Sequence, residues 1–382
     1  PIKWSTTENI KWKTPIPGRG SGSPVVWGDR IFVSSAVAPD GGRGFDGEKL
    51  SKLSFRLYCI DRGTGKVRWV KTAIEATPHE GTHSTNGFAS ASPCTDGKHV
   101  YAHFGSRGLY CFTMDGELVW QRTDLGKMKT RNGFGEGSSP TLAGDKIIVP
   151  WDHDGPSALY ALDKSTGKTV WKTERDEPTN WSTPLIVEHG GLTQVVMNGE
   201  NFARGYDLAT GKELWRCAGQ TMRPVASAVT TGDLVILASG FRGNFIGAFD
   251  LSGRGDLKGT KHVAWTWDRN TPDLASPLLS GDRLYFHKGK SATLSCVDPL
   301  TGKAYYTAER IPGLSVLYAS PIAAGGHVYI TGRSGTTVVI KDGKDLEIVA
   351  TNSVGEGVDA TPAPVDNELF IRGERHLFCI AK

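Results

Sequence analysis

What this chain lacks narrows it first. No stretch approaches the roughly 18 consecutive apolar residues that a membrane-spanning helix needs, so no transmembrane segment is expected. A Lys/Arg run is also missing: 44 basic and 40 acidic residues are spread along the chain for a net charge of +4, and nucleic acid is not an implied partner. The opening Pro1-Ile2-Lys3-Trp4 has no charged segment followed by an apolar one, a start compatible with an export signal already removed. Adjacent cysteines are absent. Of the six cysteines, Cys59, Cys111, Cys296 and Cys379 fall at the same place in successive repeats, LYCID, LYCFT, LSCVD and LFCIA. Equivalent places in different repeats lie far apart, so these four read as small buried apolar residues rather than disulfide partners. Cys94 and Cys217 have no obvious partner, and cysteine usage does not fix the compartment.

What is present is punctuation and repetition. Short Val/Ile/Tyr/Phe/Trp clusters lie between turn residues in a chain with 48 Gly and 20 Pro, the pattern of an all-β protein. A Ser/Thr-Pro step opens a unit at Ser23, Ser92, Ser139, Thr183, Ser276, Ser320 and Thr361, and Ser227-Ala228 is a degenerate eighth copy. Each step is followed by an apolar run and a two-residue turn such as Gly28-Asp29 or Gly144-Asp145, which supplies the positive φ of a tight hairpin. A second hairpin repeats Asp, a Thr-Gly-Lys turn and an aromatic residue: Asp61 to Trp69, Asp163 to Trp171, Asp207 to Trp215 and Asp298 to Tyr306. The second unit ends its shortened version at Trp120, the fifth has a longer turn before Trp265 and Trp267, and the seventh has lost the aromatic.

Two hairpins per unit make a four-stranded blade, and eight units make an eight-bladed β-propeller. The last unit stops after its third strand at Lys382, while the chain's beginning supplies a strand at about 9–14 bearing Trp12. That strand is expected to close the ring, giving one domain over residues 1–382.

The recurring Asp-x-x-Thr-Gly-Lys-x-x-Trp pattern resembles the tryptophan-docking motif of the pyrroloquinoline-quinone (PQQ) repeat, or quinoprotein-type, propellers, and it runs through essentially the whole chain. The resemblance implies one of three roles: the quinoprotein dehydrogenases, the propeller lipoprotein of outer-membrane barrel assembly, or exported proteins named only for the repeat. The segment Ile10 to Arg19 looks most like the third. In the dehydrogenases the quinone is sandwiched between a Trp and a disulfide of adjacent cysteines, beside calcium. The missing Cys-Cys pair disfavours PQQ with calcium here, and no acidic residue matches the expected calcium set. The lipoprotein's acylated cysteine is likewise not seen at the start of the chain. A periplasmic or otherwise exported location is implied by the resemblance alone.

Loops that break the repetition are where function is sought. The longest, from Ala36 to Phe55, contains Asp40-Gly-Gly-Arg43-Gly-Phe-Asp46 and reads as a lid or partner contact, or as a plain surface insertion. His79 and His83 have metal-ligand spacing, but i,i+4 ligation works only on a helix and this segment carries Pro and Gly, so rim hydrogen bonding competes with it. Trp151-Asp152-His153-Asp154 offers carboxylates for a hard cation, or simply solvated loop charge. Arginines recur in these loops: Arg107, Arg131, Arg204, Arg223, Arg242, Arg333, Arg372 and Arg375. Either several converge into an anion site, or each pairs with a neighbour such as Glu136, Glu200 or Glu374. Trp181 stands outside the docking position and offers a stacking face for a sugar or planar ring.

These readings favour a non-catalytic scaffold, expected to be a monomer, that binds a protein or an anionic or carbohydrate ligand at one rim. The enzyme alternative is quinone-dependent oxidation, or acid/base polysaccharide cleavage by His79, His83 or His153 with a rim arginine.

Overall fold

The computed structural model describes residues 1–42, 44–45 and 49–382. Arg43 and Asp46 of the long first loop lie outside the described residues. Eight antiparallel sheets follow one another along the chain, almost without helix. Blade 1 is typical: Val25–Trp27, Arg30–Val37, Leu53–Asp61 and Val67–Ala76 pair in that order. Each first strand begins two residues after its opening Ser or Thr, as in Ser23 to Val25 and Thr361 to Ala363. Ring closure is as expected: Ile10–Pro15 pairs antiparallel with His376–Ile380 and becomes the outer strand of blade 8.

Packing follows from alternation. One side of each strand faces the next blade, so the buried residues fall into clusters that each bridge adjacent blades. Cys59, Cys111, Cys296 and Cys379 sit in four different clusters. All six cysteines are free, and burial pushes the thiols of Cys111, Cys296 and Cys379 up to about 12.

The docking motif works through two complementary parts. Trp12, Trp69, Trp120, Trp171 and Trp265 each donate the indole N–H to a backbone carbonyl of the next blade's turn, at 2.9 to 3.0 Å. Their rings lie on the turn glycine: a Cβ on Gly65 would fall 2.6 Å from Trp12, and one on Gly167 2.6 Å from Trp120. Both glycines also have φ near +70°, so the turn needs glycine for its backbone and for the space above it. The Asp that opens the motif caps the turn, as Asp163 Oδ1 does by accepting from the Thr166 amide at 2.8 Å.

Three blades depart from the pattern, blade 6 by carrying Tyr306 in place of the tryptophan, its buried hydroxyl without a partner among the described residues. The longer turn of blade 5 adds Gly255–Asp256 as a fifth, parallel strand to blade 4. Trp215 therefore donates to Gln194 of its own blade at 2.8 Å, and Gln194 passes the link on to the Leu251 carbonyl at 2.9 Å. Where blade 7 lost its aromatic, Trp4 fills the interface with blade 8, 3 % exposed and 6.4 Å from the Tyr329 ring.

Candidate functional site

The Ser/Thr of each opening step has a structural task. The amide of Ser23 donates to Ser92 Oγ, Ser92 to Ser139, Ser139 to Thr183, Thr183 to Ser227, Ser227 to Ser276, Ser276 to Ser320 and Ser320 to Thr361, at 2.9 to 3.2 Å. This girdle ties the innermost strands together around the axis, and the degenerate step keeps the serine it needs.

Two residues before each girdle hydroxyl, every blade presents one side chain to an axial cavity of about 310 Å³. Blades 1 to 3 give small residues, Ser21, Ser90 and Gly137; blades 4 to 7 give Trp181, Val225, Leu274 and Tyr318; blade 8 gives Asp359. The result is a lopsided platform, with aromatic and aliphatic faces on one side and a recess on the other. Trp181 is fixed by its indole N–H on the Gly135 carbonyl at 2.7 Å.

Above the platform stand Phe134, Arg223, Asp273 and Lys290. Arg223, in a left-handed backbone conformation (φ 52°), holds its guanidinium 3.3 Å from the Phe241 ring centre and 5.4 Å from that of Phe134. Among the described residues neither Arg223 nor Lys290 has an ion-pair partner. Burial, against the opposing field of the Asp273 carboxylate and with Arg131 and Arg242 nearby, holds the Arg223 pKa below its ordinary value. Asp273 is 6 % exposed and its Oδ1 has no hydrogen-bond partner among the described residues. The site thus combines stacking surface with unspent positive charge.

Of the other candidates, His83 also lines this cavity. Arg107 is buried against Glu136, and Arg204 against Asp176 and Glu177, with Glu213 at 3.0 Å; these two are interior ion pairs away from the mouth. Arg131 pairs with Glu200 at 2.7 Å, and Arg375 lies 3.6 Å from Glu356. Arg242 lies over Phe241 at 5.5 Å. Arg333 grips Asp359 through two bonds of 2.6 and 3.1 Å, its guanidinium 4.3 Å from the Tyr318 ring. Arg372 is buried and has no partner for any guanidinium nitrogen among the described residues.

Trp151 is 3 % exposed and packs in the cluster between blades 2 and 3, so it presents no face to a ligand. Asp152 accepts from Arg175 at 2.8 Å and from Asn180 at 3.1 Å, while Asp154 caps Thr179; protein donors occupy both carboxylates. His153 is buried, its pKa lowered chiefly by burial, and its Nδ1 accepts from the Lys129 amide at 3.1 Å. The His79–His83 segment is not helical. His79 Nε2 lies 2.6 Å from the Met128 carbonyl, whereas His83 Nδ1 lies 2.9 Å from Thr85 Oγ1. His79 does group with Glu80 and Glu136, their ligand atoms within 4.8 Å, but Thr130 occupies Glu80, and Ser106 and Arg107 occupy Glu136.

Sequence reading missed Lys290, Asp273, Phe134 and Tyr318. The signal that finds the platform is the fixed offset of two before each opening Ser/Thr, read for variation instead of recurrence.

The architecture is that of a closed eight-bladed propeller with one built mouth on its axis. The chain belongs to the PQQ-repeat propeller family whose model is described as "Outer membrane protein assembly factor BamB", matched over residues 2–123 and 112–256. Among solved structures, BamB from Moraxella catarrhalis superposes with a TM-score of 0.66 at 14% identity, over 97% of this chain and 99% of that one. A polyvinylalcohol dehydrogenase from Pseudomonas sp is 25% identical over 54% of this chain and 35% of its own length. A tetrathionate hydrolase from Acidithiobacillus ferrooxidans is 23% identical over 85% of this chain and 65% of its own. The chain therefore spans about a third and about two thirds of these relatives. No helix among the described residues is long and apolar enough to cross a membrane.

Proposed function

We propose that residues 1–382 act as one exported, monomeric propeller domain that binds a ring-bearing carboxylate, an acidic sugar or an aromatic acid, at the axial mouth without transforming it. The observation that carries this reading is the pair of unpaired cations, Arg223 and Lys290, beside the ring faces of Trp181 and Tyr318 on the platform. Rings stack on such faces and carboxylates bond to a guanidinium fork, so together they select an acidic ring over a neutral one. Outer-strand closure by Ile10–Pro15 caps the chain's last blade, which supports a monomer. The family description supports export. Of the histidines that acid/base chemistry would use, His153 is buried as an acceptor and His79 reaches the Met128 carbonyl, while His83 lies at the mouth with its Nδ1 2.9 Å from Thr85 Oγ1.

The name of the polyvinylalcohol dehydrogenase, with the resemblance to the quinoprotein dehydrogenases, favours a second reading, oxidation with PQQ and calcium at the same mouth. The faces and cations suit a planar anion. Calcium takes six to eight oxygen ligands, yet of the two carboxylates lining the cavity Asp359 is held by Arg333, which leaves Asp273. With adjacent cysteines also absent, the residues do not fit the calcium-bound quinone. The family description favours a protein partner on the same rim, which would bring an acidic side chain to Arg223.

Calorimetric titration with trigalacturonate and its neutral galactose counterpart tests the proposal. The acidic sugar is expected to bind at least tenfold more tightly, and both Arg223→Met and Trp181→Ala to abolish the preference. Equal binding of the two sugars, or turnover lost on mutating the mouth, would overturn it.

A further inference from the structure

Beside the mouth lies a smaller chamber of about 50 Å³, bounded by Arg19, Arg333, Arg372 and Glu374 and sharing Ser21, Thr85, Asn86 and Asp359 with the mouth. Arg372 ends the second strand of blade 8, two residues beyond Phe370, which faces the repeat cysteine Cys379. The same register position holds Ser34 in blade 1, His103 in blade 2 and His287 in blade 6. Each of those three reaches the backbone carbonyl just before the next blade's girdle residue. Ser34 Oγ donates to Ala91 at 3.1 Å, His103 Nδ1 lies 3.4 Å from the Ser138 oxygen, and His287 Nε2 lies 3.1 Å from that of Ala319.

Blade 8 breaks the rule. Its residue is the longest and the only permanently charged one of the four, 1 % exposed, and Nε, Nη1 and Nη2 all lack a partner among the described residues. The acid whose field acts on it, Glu356, is spent: Oε1 accepts from the amides of Arg375 and His376 at 3.0 and 2.9 Å, and Oε2 lies 2.7 Å from His376 Nδ1. Tyr58, in the same interface between blades 8 and 1, also has a buried hydroxyl without a partner. A buried guanidinium with neither counter-ion nor hydrogen bond is strongly disfavoured. In three blades a neutral polar residue at this position bonds the neighbouring backbone carbonyl. Arginine here is a departure that the fold does not use.

We propose that the Arg372 chamber is a carboxylate subsite, in which a planar anionic group leaves the mouth past Asp359 and takes the parallel N–H bonds of the Arg372 fork. The inference rests on the mouth as the seat of the ligand's ring, and it adds where the acid group goes: the ring lies on Trp181 and Tyr318 while a carboxylate enters between blades 8 and 1. Arg333 cannot serve in its place, because Asp359 already occupies its fork.

Thermal unfolding titrations with sodium acetate, sulfate and chloride at one fixed ionic strength test the subsite, on the full chain and on Arg372→Met, Arg372→Lys and Arg269→Met. Acetate is expected to raise the wild-type Tm saturably and more than the other two anions. Arg372→Met, which removes the unpaired charge but keeps the stem, is expected to have a ligand-free Tm at or above wild type and to weaken acetate at least tenfold. Arg372→Lys keeps the charge without the fork and should also weaken acetate, which preserves the test should the methionine variant not fold. Arg269→Met, at an exposed arginine that lines neither cavity, should leave the acetate response unchanged. A lower ligand-free Tm for Arg372→Met with its acetate response intact would overturn the proposal, as would a wild-type response to chloride equal to that to acetate. Failure of the mouth is seen separately. Trigalacturonate binding that ignores Arg223 beside acetate binding that needs Arg372 sinks the mouth and leaves the chamber, and the reverse pair of results sinks the chamber alone.

Discussion

At five blade interfaces a tryptophan rests on the turn glycine of the next blade with its N–H on a backbone carbonyl, one solution repeated around the periphery. At the axis, the position two before the girdle carries serine, glycine, tryptophan, valine, leucine, tyrosine and aspartate in different blades. The periphery repeats one set of bonds, with Tyr306 and Trp4 each keeping a buried polar atom without a partner among the described residues, whereas the mouth and its side chamber gather charged groups, Arg223, Lys290, Asp273 and Arg372, with no ion-pair partner among those residues. Closing a ring favours one geometry repeated between blades, and where it recurs it fixes those residues to one task. Freed of that demand, the axial positions can diverge toward a ligand.

The comparison breaks first at the periphery. Trp120→Ala should cost about 3–5 kcal/mol in denaturant unfolding, since it empties a buried interface and removes one of the two bonds to the Lys164 carbonyl, which keeps that from the Tyr101 hydroxyl. A cost below about 1 kcal/mol would mean that docking is not what holds neighbouring blades together.

Acid sharpens it next. His103 and His287 are buried, and burial pushes the pKa of each down to about 4 from 6.5. Above pH 6.5 both states are neutral; as pH falls toward 4 the unfolded chain binds protons that the folded chain refuses. Stability should therefore drop through that window, by up to about 1.4 kcal/mol per pH unit for each histidine. The double variant His103→Gln/His287→Gln should flatten the slope measured by urea unfolding between pH 7 and 4.

Much of the periphery was legible because recurrence is itself a signal: Thr-Gly-Lys turns, their tryptophans and the truncated last blade all announce a ring. Trp4 was not legible, since it stands outside any repeat and substitutes for an aromatic that blade 7 lacks. The candidate site was harder for a physical reason. Arg204 and Arg372 look alike as arginines near loops, and only strand register and neighbours show that one is paired with three acids and the other, among the described residues, with none. Trp181 could be singled out because it departed from the docking position, whereas Trp151, also off that position, turned out to be core.

The girdle gives a smaller effect. Ser320→Ala removes the acceptor for the Ser276 amide and should cost about 1 kcal/mol. A loss no larger than that of an exposed surface serine would show that the girdle accompanies closure without supporting it.

Smallest in stability, and most telling for function, is Arg223→Met, expected to change unfolding free energy by no more than about 0.5 kcal/mol because no ion pair is lost. The decisive measurement is the calorimetric titration of wild type and Arg223→Met with trigalacturonate and its neutral counterpart. The account predicts a preference of at least tenfold for the acidic sugar in wild type that vanishes in the variant. Indifference of both proteins to the carboxylates would contradict it and return the mouth to the status of a plain end of the ring.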